Sequence, residues 1–135
     1  VSAYSKLRTQ FTSRYRLRQA LEAAGVEFEA CKVGQEKHLI DWHGQQRPET
    51  ATFIVRRHNI NSLSNDLGWT WTGSCFEEIV SEFDQGCVQT TEIRQAVKRE
   101  YAVVTATEAA RAKGYTVKRV DQPSGEVQLV VTGRA

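Results

Sequence analysis

Residues 66–80, DLGWTWTGSCFEEIV, form the stretch whose reading decides the fold. Trp69 and Trp71 alternate with Thr70 and Thr72, which is the period of a half-buried strand. Thr72, Gly73 and Ser74 supply a turn and FEEIV resumes the alternation, so the stretch predicts a hairpin with both tryptophans on one face. A tryptophan on a strand usually buries a large area in the core, whereas clustered exposed aromatics mark a contact surface. The alternation gives Thr70 and Thr72 to solvent and turns Trp69 and Trp71 toward covering helices. The competing reading makes the same pair a docking ridge beside a polar loop.

Upstream, YSKLRTQF alternates as a strand, and Ser13 caps a helix whose Leu17, Ala20, Leu21 and Ala24 recur at helical spacing before Gly25 stops it. VEFEACKV and KHLIDWHG read as paired strands turning at GQE, and ATFIVRR as a third. QQRPET reads as loop because Pro48 cannot join a central ladder, and HNINSLSND as loop because it is polar. Downstream, the strand FEEIVSEF leads to a long helix from Thr91 to Gly114, with Ile93, Val97, Tyr101 and Val104 on one face. A final hairpin, GYTVKRVD and EVQLVVTG, turns at QPSG.

Two helices with one apolar stripe each and several alternating strands predict an α+β domain, an antiparallel sheet covered by two helices. The order strand, helix, strand, strand occurs twice, opening at YSKLRTQF and again at FEEIVSEF, and admits either two duplicated units or a common arrangement without duplication. At 135 residues the chain is expected to be a single domain spanning 1–135. No run approaches the roughly 20 apolar residues of a membrane span, and VSAYSKLRTQF lacks the apolar run of a secretory signal. A soluble protein without membrane insertion, in a cytosolic-type compartment, is expected.

Cys31, Cys75 and Cys87 fit neither a disulfide framework nor a CxxC clasp and read as free thiols. His38 and His43 fall on opposite faces of one expected strand and His58 stands apart, so no metal set is assigned. Cys75 beside the turn reads as a small hydrophobe rather than a nucleophile. Glu77, Glu78, Glu82 and Asp84 read as a solvated acidic edge. No phosphate-binding glycine motif is present. No catalytic residue and no cofactor are assigned, and a non-enzyme is favoured.

Net charge is only +2, yet the first eighteen residues hold Lys6, Arg8, Arg14, Arg16 and Arg18 without an Asp or Glu. If the faces carrying Lys6, Arg8, Arg14 and Arg18 join, they form a phosphate-contacting patch; a solvated face is the plainer reading.

The glycines, aromatics and acids of DLGWTWTGSCFEEIV and the Arg-x-Tyr-Ala helix of REYAVVTATEAARAKGYTV resemble one family, and SKLRTQFTSRYRLRQALEAAG fits its opening strand and helix. It is the family of cyanobacteria and red algal plastids known as hypothetical chloroplast reading frame thirty-five. The resemblance covers nearly the whole chain, with departures at residues 44–65 and at WTW. It implies a soluble protein of photosynthetic organisms or their relatives, in bacterial cytoplasm or plastid stroma, with no catalytic residues to carry over. The function expected is a non-enzymatic adaptor or assembly factor that binds another protein through Trp69 and Trp71. The alternatives are a nucleic-acid-binding module using the basic N-terminal strand and helix, and an enzyme whose site assembles only in an oligomer.

Overall fold

The structure is a computed structural model that describes residues 3–133. Its centre is the expected hairpin: β6 (Leu67–Trp71) and β7 (Phe76–Ser81) pair antiparallel, with Gly73 at φ +104° in the turn between them. The first strand, β1 (Tyr4–Arg8), pairs with β7, while β5 (Phe53–Val55) pairs with β6 and carries the two-residue β2 (Glu29–Ala30) on its far side. The resulting sheet runs β1-β7-β6-β5-β2, antiparallel throughout.

One face of this sheet is covered by helices. Ser13 caps α1 (Arg14–Ala23) by accepting from the Arg16 amide at 3.2 Å, and Leu17, Ala20 and Leu21 are fully buried on Phe53, Val55, Leu67 and Trp69. The long helix, α3 (Val88–Ala112), adds Val97 and Tyr101 to the same core, with Ile93 packed against it. It begins three residues before Thr91, with Cys87 as its cap. The Tyr101 hydroxyl accepts from the Thr12 and Ser13 amides, both at 3.0 Å, so one helix holds the N-cap residue and the residue before it at the start of the other.

The opposite face is covered by a hairpin of β3 (Lys37–Ile40) and β4 (Gln46–Ala51). Its Leu39 and Ala51 pack on Ile54 and Ile79, a second core beneath the sheet. A side chain at position 68 would obstruct that packing: a Cβ there would lie 2.7 Å from Ala51 Cβ and 3.0 Å from Leu39 Cδ2, so glycine is required by close approach.

Several expectations are corrected here. VEFEACKV and KHLIDWHG do not pair with each other; β2 joins β5 and β3 joins β4. Pro48 lies inside a strand, because β4 belongs to a two-stranded ribbon whose register shifts across this stretch, where a missing N–H is tolerated. ATFIVRR divides at Thr52, with Ala51 on β4 and Phe53 on β5. FEEIVSEF ends as strand at Ser81, whose hydroxyl accepts from the Asp84 amide at 3.0 Å and caps the short α2 (Glu82–Gln85).

The last hairpin forms as expected from β8 (Thr116–Asp121) and β9 (Val127–Thr132), paired only with each other. The repeated strand order therefore does not place its two copies alike, since β2 enters the main sheet and β8–β9 lie along α3. Arg119 of β8 holds them there, its Nη2 donating to Glu100 Oε2 at 2.8 Å.

Candidate functional site

Trp69 and Trp71 share the helix side of β6, but the cover ends between them. Trp69 is 0% exposed within the core, whereas Trp71 is 44% exposed at the end of the strand. Burial removes Trp69 from any contact surface. Trp71 stands edge-on to Phe76 at 5.1 Å between ring centroids, and Phe76 in turn meets Phe53 at 5.9 Å. The exposed indole is thus braced by an aromatic row rooted in the core.

The four cations do not meet on one face. Leu7 points into the helix-side core and Tyr4 into the opposite one, so Lys6 and Arg8 fall on the side away from the helices. Arg14 and Arg18 lie on α1, across the sheet. Arg14 donates to the Cys31 carbonyl and stacks its guanidinium 5.2 Å over the Phe53 ring, while Arg18 pairs with Glu22 at 3.3 Å.

The acidic segment 77–84 is divided by the fold. Glu78 is buried and bonded by Arg94, Glu77 lies opposite Arg8 in the β1–β7 register, and Glu82 is exposed. Asp84 is buried without an ion pair among the described residues. Its Oδ2 accepts from the Asn65 amide at 3.0 Å, and Asn65 Nδ2 donates to Ser81 Oγ at 3.0 Å. Its Oδ1 has no protein partner. Burial pushes the Asp84 carboxyl above its ordinary range, against the pull of bonds from Asn65 and Ser81, and burial with the Asp84 charge raises the Cys87 thiol.

This acid has a measurable signature. Because the folded chain holds the Asp84 proton more tightly than the unfolded chain, stability is lost as pH rises from the ordinary aspartate range through the raised value. Glu29 and Glu100, held below the ordinary range by Arg56 and Arg119, have the opposite sign: their contribution is present at neutral pH and lost on acidification. Asp84→Asn is expected to remove the first effect alone. Denaturant midpoints followed from about pH 4 to about pH 8 should then fall less steeply with rising pH than those of the parent chain. Parallel profiles for the two proteins would contradict the assignment.

The other reactive types are dispersed. All three cysteines are unpaired thiols; Cys31 and Cys75 are buried. His38 Nδ1 lies 2.8 Å from the Arg47 carbonyl, His43 stacks against Trp42, and His58 is exposed on a turn. Among the described residues no three His, Cys, Asp or Glu side chains converge as a metal cluster.

Two features escaped the sequence reading. One is the burial of Ser64, Asn65 and Asp66, a polar run that looks like loop. Asp66 accepts from the Ile40 amide at 2.8 Å, the Arg57 amide at 2.7 Å and Arg56 Nη1 at 2.6 Å, while its carbonyl accepts from the Tyr4 hydroxyl at 2.9 Å. Arg56 also bonds Glu29 at 2.8 Å, and its guanidinium is held firmly charged between the two acids. The aspartate before an aliphatic residue and glycine was the available signal. The other feature is a groove of about 970 Å³ between β1 and α3, with Leu7, Phe11 and Tyr101 among its lining residues and Arg8, Arg94 and Lys98 as its cations. No local motif announces it, because its walls come from opposite ends of the chain.

The resemblance motifs thus have structural work. Asp66 ties three segments, Gly68 admits the outer hairpin, and Tyr101 holds the chain at the start of α1. No curated protein and no solved structure matches the chain. A family model does match residues 20–130, from within α1 to within β9, and the chain belongs to the family described as "Protein of unknown function (DUF1257)".

Proposed function

We propose that this protein is a non-enzymatic adaptor or assembly factor that binds another protein. The observation that carries the reading is Trp71, a large aromatic left 44% exposed and braced against Phe76. A side chain held rigidly before contact loses little conformational freedom on binding, which favours aromatic anchors at interfaces. The acids best placed for chemistry are engaged instead in tying the fold: Glu78 by Arg94, Glu100 by Arg119 and Asp66 by Arg56. The resemblance to the plastid and cyanobacterial reading frame supports a setting in bacterial cytoplasm or plastid stroma. Among the described residues no helix is long and apolar enough to cross a membrane.

The test is tagged capture from a lysate of the encoding organism, with and without nuclease, using the parent chain and Trp71→Ala. A nuclease-resistant protein partner retained by the parent and lost by the variant is the expected result. Because Trp71 is outside the core, the variant should keep its unfolding free energy to within about 1 kcal/mol of the parent. Capture that disappears with nuclease would replace this reading with nucleic-acid binding.

A further inference from the structure

We propose that the open edge of β1 receives an extended segment of the partner protein as an added strand, one whose residues alternate between apolar and acidic. This rests on the protein-binding reading and adds to it a site and a partner chemistry.

The backbone supplies the first reason. Among the described residues β1 pairs only with β7. The Ala3 carbonyl accepts from Glu82 at 2.8 Å, the Thr9 amide donates to Phe76 at 3.2 Å, and the Phe11 carbonyl accepts from Phe76 at 2.8 Å. Alternate residues of an antiparallel strand bond to the same side, so the odd-numbered residues serve β7 and the N–H and C=O groups of Lys6 and Arg8 face the open edge. Such a row of unused groups is a template for another strand.

Side chains specify what that strand must be. Lys6 and Arg8 are exposed on the face away from the helices, and neither closes an ion pair among the described residues; Glu77 opposite Arg8 is the nearby acid in register. Beside the same edge on the helix side, the groove presents Leu7, Phe11, Tyr101 and Ala102, and Arg8, Lys98 and the Glu78-bound Arg94 also line it. An added strand therefore meets cations on one face and a largely apolar groove on the other. Acidic residues at one parity and apolar residues at the other satisfy both.

The same charges disfavour a second copy of this chain. Two β1 strands laid antiparallel about Leu7 would set Lys6 of each against Arg8 of the other, a like-charge contact that cross-strand pairing penalises.

The probes are three soluble synthetic peptides: one alternating valine and glutamate, one alternating valine and lysine, and a scramble of the first. Binding is followed by fluorescence anisotropy, and the contact by amide hydrogen exchange at Lys6 and Arg8. The acidic alternating peptide should bind, slow exchange at both amides, and lose about tenfold or more in affinity to the double variant Lys6→Glu, Arg8→Glu, given two reversed cross-strand pairs. Unchanged melting of the variant shows that the loss is not unfolding. Equal binding of the lysine peptide, or unprotected edge amides with the acidic peptide at saturating concentration, overturns the proposal. So does protection of those amides by self-association or by a single-stranded oligonucleotide. If lysate capture through Trp71 persists in the double variant, the adaptor reading stands and the β1 edge is excluded from it.

Discussion

Asp66→Ala is expected to remove about 3–5 kcal/mol of folding stability, the range for deleting one partner of a buried, hydrogen-bonded charge pair. The carboxylate is fully buried and answers three donors: two backbone amides and the Arg56 guanidinium. Truncation leaves the two buried amides without this acceptor, while Arg56 keeps Glu29 and the His38 carbonyl, and unpaired buried donors cost more than the bonds themselves contribute. It joins three segments at one buried point: β3 of the outer hairpin, the turn after β5, and the residue that opens β6. For a domain whose total stability is of order 5–15 kcal/mol, such a loss leaves a marginal fold. Equilibrium denaturation measures it, and Arg56→Met in a double-mutant cycle should show strong coupling between the two positions. A midpoint change worth less than about 1 kcal/mol would mean that the amides find other acceptors.

Where the chain reports its structure, it does so through periodicity. The two covering helices, the β6–β7 hairpin and the β8–β9 hairpin each show a run long enough to fix a period, and the α+β architecture follows from them. Two-residue β2 has no period to show, so its partner is decided by space: the Cys31 amide bonds the Thr52 carbonyl, which draws this segment beside β5 rather than β3. Pro48 misleads because its exclusion applies to central strands, and a separate ribbon has no central strand. Ser64, Asn65 and Asp66 fall in the expected loop, but a polar run carries no sign in sequence that it is buried. The side chains of Asn65 and Asp66 replace water with protein partners, and such pairing depends on residues far away in sequence, including Ile40, Ser81 and Asp84. The basic residues were legible as a cluster in sequence, but alternation along β1 and the crossing to α1 put the sheet between them.

Trp69 and Trp71 are identical in type, strand and face, so truncating each one measures what the helix layer does. Trp69→Ala is expected to cost about 3–5 kcal/mol, as for large aromatic residues removed from a packed core, since Trp69 sits fully buried in one cluster with Phe53 and Leu67. Trp69→Phe separates two contributions. It retains most of the apolar contact and deletes the indole N–H, which is buried without a partner, so its loss should be well below that of alanine. Trp71→Ala removes an indole already 44% exposed and resting chiefly on Phe76, so its cost should be several-fold smaller. Unfolding by denaturant for the three variants gives the comparison directly. Equal losses at positions 69 and 71 would place both rings in one cooperative core and withdraw Trp71 from the proposed contact surface. The expected inequality leaves Trp71 able to change without the fold, which a side chain committed to a partner must be.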